Sequence, residues 1–274
     1  MPALRLAEAD RLFLVGLARA FAGAALFALP MLMTQEMWDL GQHLDRLRLV
    51  ALLVLVFPLL VAFSRLYGFE ETTSLLDDLV DAFVAFFVGA AAGTLVLLLF
   101  GIIDGDTPFD EVVAKVSLQA IAGALGAILA MTQLGSRRKE AEREIGYAAH
   151  LTANAGGALF LALNVAPTDE VRQIAFLISP WQALLLGGVS LAGTHAFVYS
   201  LEFVGQVEKP EGHGSVSVFF RYSVVGYAVA LLVSAMLLWV FGRFEGCSHD
   251  LVIRQIVVLG FPAALGAAAA RLIL

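Results

Sequence analysis

The sequence predicts an all-α, polytopic membrane protein with eight transmembrane helices in two four-helix repeats of the same orientation. Three observations predict it. Hydrophobic residues make up 60% of the chain and charged residues only 15%, whereas about a quarter of the residues of a soluble domain are charged. Apolar runs of roughly 20 residues recur from end to end, each long enough to cross ~30 Å of hydrocarbon as a helix. Finally, the two halves of the chain echo each other, in the same order, across four spans.

Helices are expected because an open sheet cannot satisfy its backbone in lipid. The spans fall at 12–33, 48–67, 79–103, 112–134, 147–166, 181–205, 216–243 and 251–274. Arg19 interrupts the first apolar run, which then resumes to Met33, so the run reads as a retained span rather than a cleaved signal. Thr168–Arg172 reads as an interfacial helix start, with Pro180-Trp181 marking entry into the bilayer; Trp38 and Trp239 suit interface anchors. The lone Cys247 cannot form an internal disulfide and says nothing about redox compartment.

Orientation follows from Lys and Arg placement. One side holds Arg5, Arg11, Arg65, Arg137, Arg138, Lys139, Arg143, Lys209, Arg221 and Arg271; the other holds Arg46, Arg48, Arg172 and Arg243. Ten against four puts both termini in the cytoplasm of a bacterial inner membrane. Four of the ten lie in the only dense charge run, Gly135–Glu144, near the middle of the chain. Residues 1–134 therefore read as a first four-helix repeat, 135–146 as a cytoplasmic charged linker and 147–274 as a second repeat.

Paired motifs carry the duplication. Gly23-Ala24-Ala25-Leu26-Phe27 matches Gly156-Gly157-Ala158-Leu159-Phe160, and Ala62-Phe63 matches Ala196-Phe197. Phe100-Gly101 followed by Asp104-Gly105 matches Phe241-Gly242 followed by Glu245-Gly246. Asp110 with Leu125-Gly126-Ala127 matches Asp250 with Leu265-Gly266-Ala267. An even number of spans per repeat implies a pseudo-two-fold axis along the membrane normal. Gly89–Gly93, Ala20/Ala24/Ala28 and Gly266–Ala270 supply small residues at close-packing spacing, for tight helix seams, a pore lining or a homodimer face.

Polar groups at membrane depth are costly and so mark candidate sites. His195, Tyr199 and Glu202 are spaced i, i+4, i+7 and share a helical face with Gly188 and Ala192. They read either as a line of titratable groups from midplane to surface or as groups reaching interfacial water and a neighbouring helix. Asp81 and Arg221 stand at equivalent positions of the two halves and read either as an ion-pair gate or as helix-end charges. On the outer side Glu36, Asp39, Asp45, Asp104, Asp106, Asp110, Glu111, Asp169, Glu170, Glu245 and Asp250 face few bases. Such a mouth attracts cations. Asp104, Asp106, Asp110 and Glu111 form a loop of hard oxygen ligands without EF-hand spacing, which is also what a solvated loop looks like. Asn154 and Asn164 are expected to bond across helices.

No metalloprotease, nucleotide-loop or serine-protease signature occurs, and the five histidines never pair at ligand spacing. No enzymatic activity, cofactor or nucleic acid is therefore expected, and the metal, if any, stays unknown. Phe27–Trp38, Leu76–Phe83 and the stretch ending Gln119-Ala120 resemble a family of uncharacterised bacterial integral membrane proteins, a domain of unknown function. That resemblance implies an inner-membrane location and transfers no residue roles. The primary functional expectation is a channel or secondary transporter for a small cation or proton-coupled solute. The alternative is a non-transporting scaffold or accessory subunit, with the lipid bilayer, a second copy or a small membrane protein as partner.

Overall fold

The computed structural model describes residues 2–67, 74–134, 146–199 and 215–273. They are all helix and connection, with no strand among them. The charged linker at 135–145 and Glu202 lie outside the described residues. The chain divides into two units, Met1–Glu144 and Ile145–Leu274.

In the first unit, α1 (Pro2–Leu32) is followed by a short α2 (Gln35–His43) and then by α3 (Arg46–Tyr67), α4 (Leu75–Leu99) and α5 (Phe109–Leu134). The most deeply buried of these is α5, on which α1, α2, α3 and α4 all pack. The α1–α5 seam is a backbone-to-backbone contact. A Cβ on Gly126 would overlap the Gly23 carbonyl oxygen and stand 2.5 Å from Phe27 Cβ. At the α4–α5 seam a Cβ on Gly89 would lie 2.7 Å from both Ala120 O and Ala124 N. Ala20, Ala24 and Ala28 are fully buried. These small residues serve packing within the unit, as expected where lipid removes the hydrophobic drive between helices.

Helix ends are cut by local chemistry. Ser74 opens α4 with a capping box: its hydroxyl accepts from Asp77 N at 3.2 Å and its own N–H reaches the Asp77 carboxylate at 3.2 Å. Gly101, at φ 67°, closes α4, with Gly101 N–H donating to Leu98 O and Ile102 N–H to Leu97 O. The span expected at 79–103 is therefore 75–99 in the structure. The short α2, not expected from the sequence, lies against α5 with Met37 and Gly41 buried, and the stem of Lys115 fills the space a Gly41 side chain would need.

The second unit runs α6 (Tyr147–Val165), α7 (Glu170–Leu177), α8 (Pro180–Tyr199), α9 (Ser215–Val218), a π-helical turn (Phe219–Val224), α10 (Val225–Val240) and α11 (His249–Ile273). Helices α6, α7, α8 and α10 all pack on α11. A Cβ on Gly266 would overlap the Gly157 carbonyl oxygen. Gly242, at φ 71°, closes α10 with the same pair of bonds that closes α4: Gly242 N–H to Trp239 O and Arg243 N–H to Leu238 O.

The helices turn broad apolar faces outward. Leu26, Val54, Phe87, Leu184, Leu232 and Ile253 are each 61–70% exposed, a surface that suits lipid and not water. Among the described residues six helices are long and apolar enough to cross a membrane, or seven when the α7–α8 pair, bent by 120°, counts as one. The expectation of eight is met in part. His150, Thr152, Asn154 and Asn164 dilute the apolar character of α6, which is not among the six. Asn164 departs from expectation too, since it donates to Phe160 O on its own helix at 2.7 Å.

Gly126→Ala and Gly266→Ala are each expected to lower stability in detergent by about 1–3 kcal/mol, because a methyl group there meets backbone that cannot rotate away. Gly193→Ala, with nothing within 4 Å of its Cβ, is expected to stay within about 0.5 kcal/mol of wild type. Thermal unfolding followed by circular dichroism separates the two cases, and equal effects at all three glycines would count against the seam.

Candidate functional site

His195 is fifteen residues into α8, about 22 Å along the helix from Pro180. Its half-buried ring brings Nδ1 to 2.7 Å from Ser223 Oγ and meets the Phe219 ring edge-on at 5.2 Å. Both partners belong to the π turn. An i→i+5 turn is wider than an α turn and re-aims the side chains on it, and such turns concentrate at functional sites. Here it delivers a buried serine hydroxyl to an imidazole on another helix.

The second unit also buries hydroxyls that bond back within their own helices. Ser190 Oγ donates to Leu186 O at 2.7 Å, Thr194 Oγ1 to Ser190 O at 2.7 Å and Ser234 Oγ to Ala230 O at 2.8 Å. All three residues are buried. The Tyr227 hydroxyl is sealed from solvent and approaches Ser190 without a well-aligned hydrogen bond. An aromatic cluster adjoins the turn: Tyr222 meets Tyr147 and His150 edge-on, each at 5.6 Å. The titratable and charged groups on the elements packed against α8 are Arg221 and Tyr222 of the turn, Tyr227 of α10 and His249, Asp250, Arg254 and Arg271 of α11, with Tyr147 and His150 of α6 meeting the turn.

Of the residues singled out from sequence, Tyr199 is the last described residue of α8, and its side chain, like the whole of Glu202, lies outside what the structure describes. Asp81 sits on α4 of the first unit, one turn after Asp77 and Asp78. In the second unit the Arg221 guanidinium rests over the Tyr147 ring at 5.0 Å while the Tyr147 hydroxyl donates to Arg221 O at 3.0 Å. That arrangement ties the π turn to the start of α6.

The acidic loop is internally occupied. The Asp104 carboxylate accepts from the N–H groups of Asp106 and Thr107 at 3.0 Å and from the Thr107 hydroxyl at 2.8 Å. Asp110 pairs with Arg46 at 2.6 Å, and Glu111 with Lys115 at 2.6 Å and with Gln42 at 2.9 Å. The second unit repeats the habit in Arg243–Asp169 and Arg254–Asp250. Among the described residues no group of three or more His, Cys, Asp or Glu side chains could hold a metal ion.

Sequence reasoning missed Ser223, Tyr227, Tyr147 and His150. A serine in an apolar helix ordinarily bonds back to its own turn, so nothing in the string Phe219–Val224 announces that Ser223 reaches His195. Tyr227 and His150 were legible as polar groups in apolar helices, yet neither belongs to a motif that announces a role.

An all-helical chain with six or more helices long and apolar enough to cross a membrane among its described residues defines an integral membrane protein. The chain belongs to the family described as “Putative integral membrane protein (DUF2391)”, whose model matches residues 16–274. No curated protein and no solved structure matches the chain.

The Thr107 hydroxyl, then the Asp106 N–H, hold the Asp104 carboxyl below its ordinary value of 3.8. A depressed carboxylate contributes stability that is present above its unfolded-state value and lost as pH falls through its folded-state value. Thr107→Val is therefore expected to lower the melting temperature at about pH 6 and to lose that effect progressively as the pH falls below the ordinary carboxylate value and through the lowered folded-state value of Asp104. An effect equal across that pH range would show that Thr107 acts through packing instead.

Proposed function

We propose that the protein is a multi-pass transport protein of the bacterial inner membrane, non-enzymatic, with both termini cytoplasmic, that moves a small cation or a proton-coupled solute. The observation that carries this reading is the His195–Ser223 pair. A titratable imidazole held at membrane depth by a serine on a π turn is costly in lipid, and function explains its presence better than packing does.

We also propose that the two units descend from one four-helix repeat, eight crossings in all. The principal packings support it: α1 on α5 corresponds to α6 on α11, α2 on α5 to α7 on α11, and α1 on α4 to α6 on α10. The Gly23–Gly126 and Gly157–Gly266 contacts set Gly23 against Gly157, one residue from the Gly23–Gly156 match read from the sequence. The identical glycine caps after α4 and α10 keep the Gly101–Gly242 match unchanged.

The test is ion flux in proteoliposomes containing the full chain. Wild type is expected to show pH-dependent flux and His195→Ala to lose it, with unchanged expression and helical circular dichroism. If wild type moves no proton, K⁺, Na⁺ or divalent cation, the transport reading fails, and stable co-purification of a membrane partner would then support the accessory-subunit alternative.

A further inference from the structure

We infer that the ion handled by the second unit is the proton, and that Tyr227 handles it together with His195 and Ser223; the inference rests on the transport reading above.

The chemistry of the helices decides between ions. Within 147–165, 180–199, 215–240 and 249–273 the one Asp or Glu is Asp250, in the first turn of α11 and already paired with Arg254. Taking a metal cation out of water into a low dielectric costs on the order of 20 kcal/mol before any compensation. Offsetting that cost takes a cage of several carboxylate or carbonyl oxygens at once. The buried hydroxyls here are neutral and singly placed, and those of Ser190, Thr194 and Ser234 already donate to carbonyls four residues back. They form no cage.

A proton needs groups that both donate and accept, a hydrogen bond or one water apart. His195 Nδ1 and Ser223 Oγ, at 2.7 Å, are such a pair: an imidazole takes up and releases a proton through its ring nitrogens and a hydroxyl both donates and accepts. A proton accepted by neutral His195 makes the imidazolium. Its Nδ1 proton then passes to Ser223 Oγ as Ser223 releases its own to water, which leaves both groups neutral.

Tyr227 continues the line. It follows Ser223 by four residues, one turn further along. The step from Ser223 to the Tyr227 hydroxyl passes through water. Glycines keep the ground around its hydroxyl clear: a Cβ on Gly187 of α8 would lie 3.4 Å from it, and one on Gly260 of α11 3.9 Å. A larger side chain at either position would close the space beside the hydroxyl.

The experiment measures collapse of an imposed pH gradient by a trapped pH dye in proteoliposomes, and Na⁺ and Rb⁺ uptake in parallel. It compares wild type, His195→Gln, Ser223→Ala and Tyr227→Phe, each checked for its melting temperature. The expected result is proton flux in wild type, no Na⁺ or Rb⁺ uptake, and a loss in Tyr227→Phe on the order of 100-fold, the scale of one positioned proton-transfer group. Since the Phe ring keeps the packing, its melting temperature should match wild type. Na⁺ or Rb⁺ uptake that His195→Gln abolishes would overturn the proton assignment while upholding transport. Proton flux unchanged by Tyr227→Phe would overturn the role of Tyr227. No flux of any kind would overturn the transport reading itself.

Discussion

Backbone contact through glycine is the constraint on which each unit depends. Between apolar helices in lipid there is no hydrophobic drive to associate, so stability comes from how closely the backbones approach. Gly126 against Gly23, and Gly266 against Gly157, bring carbonyl oxygens to where a Cβ would otherwise be. The helices that carry Gly126 and Gly266, α5 and α11, are also those on which most others in their units pack. Once these two seams are fixed, the glycine caps at 101 and 242 determine where α4 and α10 stop and the chain turns back.

The units differ where a second seam would form. In the first, Gly89 and Gly123 stand backbone against backbone between α4 and α5. Twelve residues before the α10 cap the second unit has Ala230, and three before Gly266 it has Ala263, both fully buried. Side chains space α10 from α11 instead, with Leu231 reaching toward Gly260 and the Tyr227 hydroxyl close by. The unit held apart by side chains is the one that contains His195, Ser223 and the π turn. A backbone-to-backbone glycine seam leaves no room for a side-chain hydroxyl, and at Gly260 the side chains of Leu231 and Tyr227 stand in its place.

Much of this was legible in the sequence because lipid imposes a simple rule on composition. Long apolar runs place the spans, but the expected spans to 103 and 243 overrun the caps that the matched Phe100-Gly101 and Phe241-Gly242 form. The losses have physical causes. The nine residues of α2 are polar enough to read as loop, and only Met37 and Gly41 face inward. The partners of the acidic loop come from other elements: Arg46 is 64 residues from Asp110, and Gln42 is 69 from Glu111. The π turn is a tertiary outcome, and a six-residue string of Phe, Arg, Tyr, Ser and Val does not distinguish five-residue from four-residue hydrogen bonding.

The pattern of charge pairing bears on where an ion would be handled. Asp110, Glu111, Asp169 and Asp250 each hold a base on a helix end or a neighbouring element, and the Asp104 carboxylate closes its own loop. Carboxylates engaged in this way fix the ends of helices and have little capacity left for a passing cation. The imidazole of His195 is different in kind: its Ser223 bond joins two helices through groups that can each give and take a proton. A charge network that orders the loops can lie at the surface, where water screens it. The His195–Ser223 pair lies instead among helices whose one carboxylate, Asp250, is already paired with Arg254 at the start of α11.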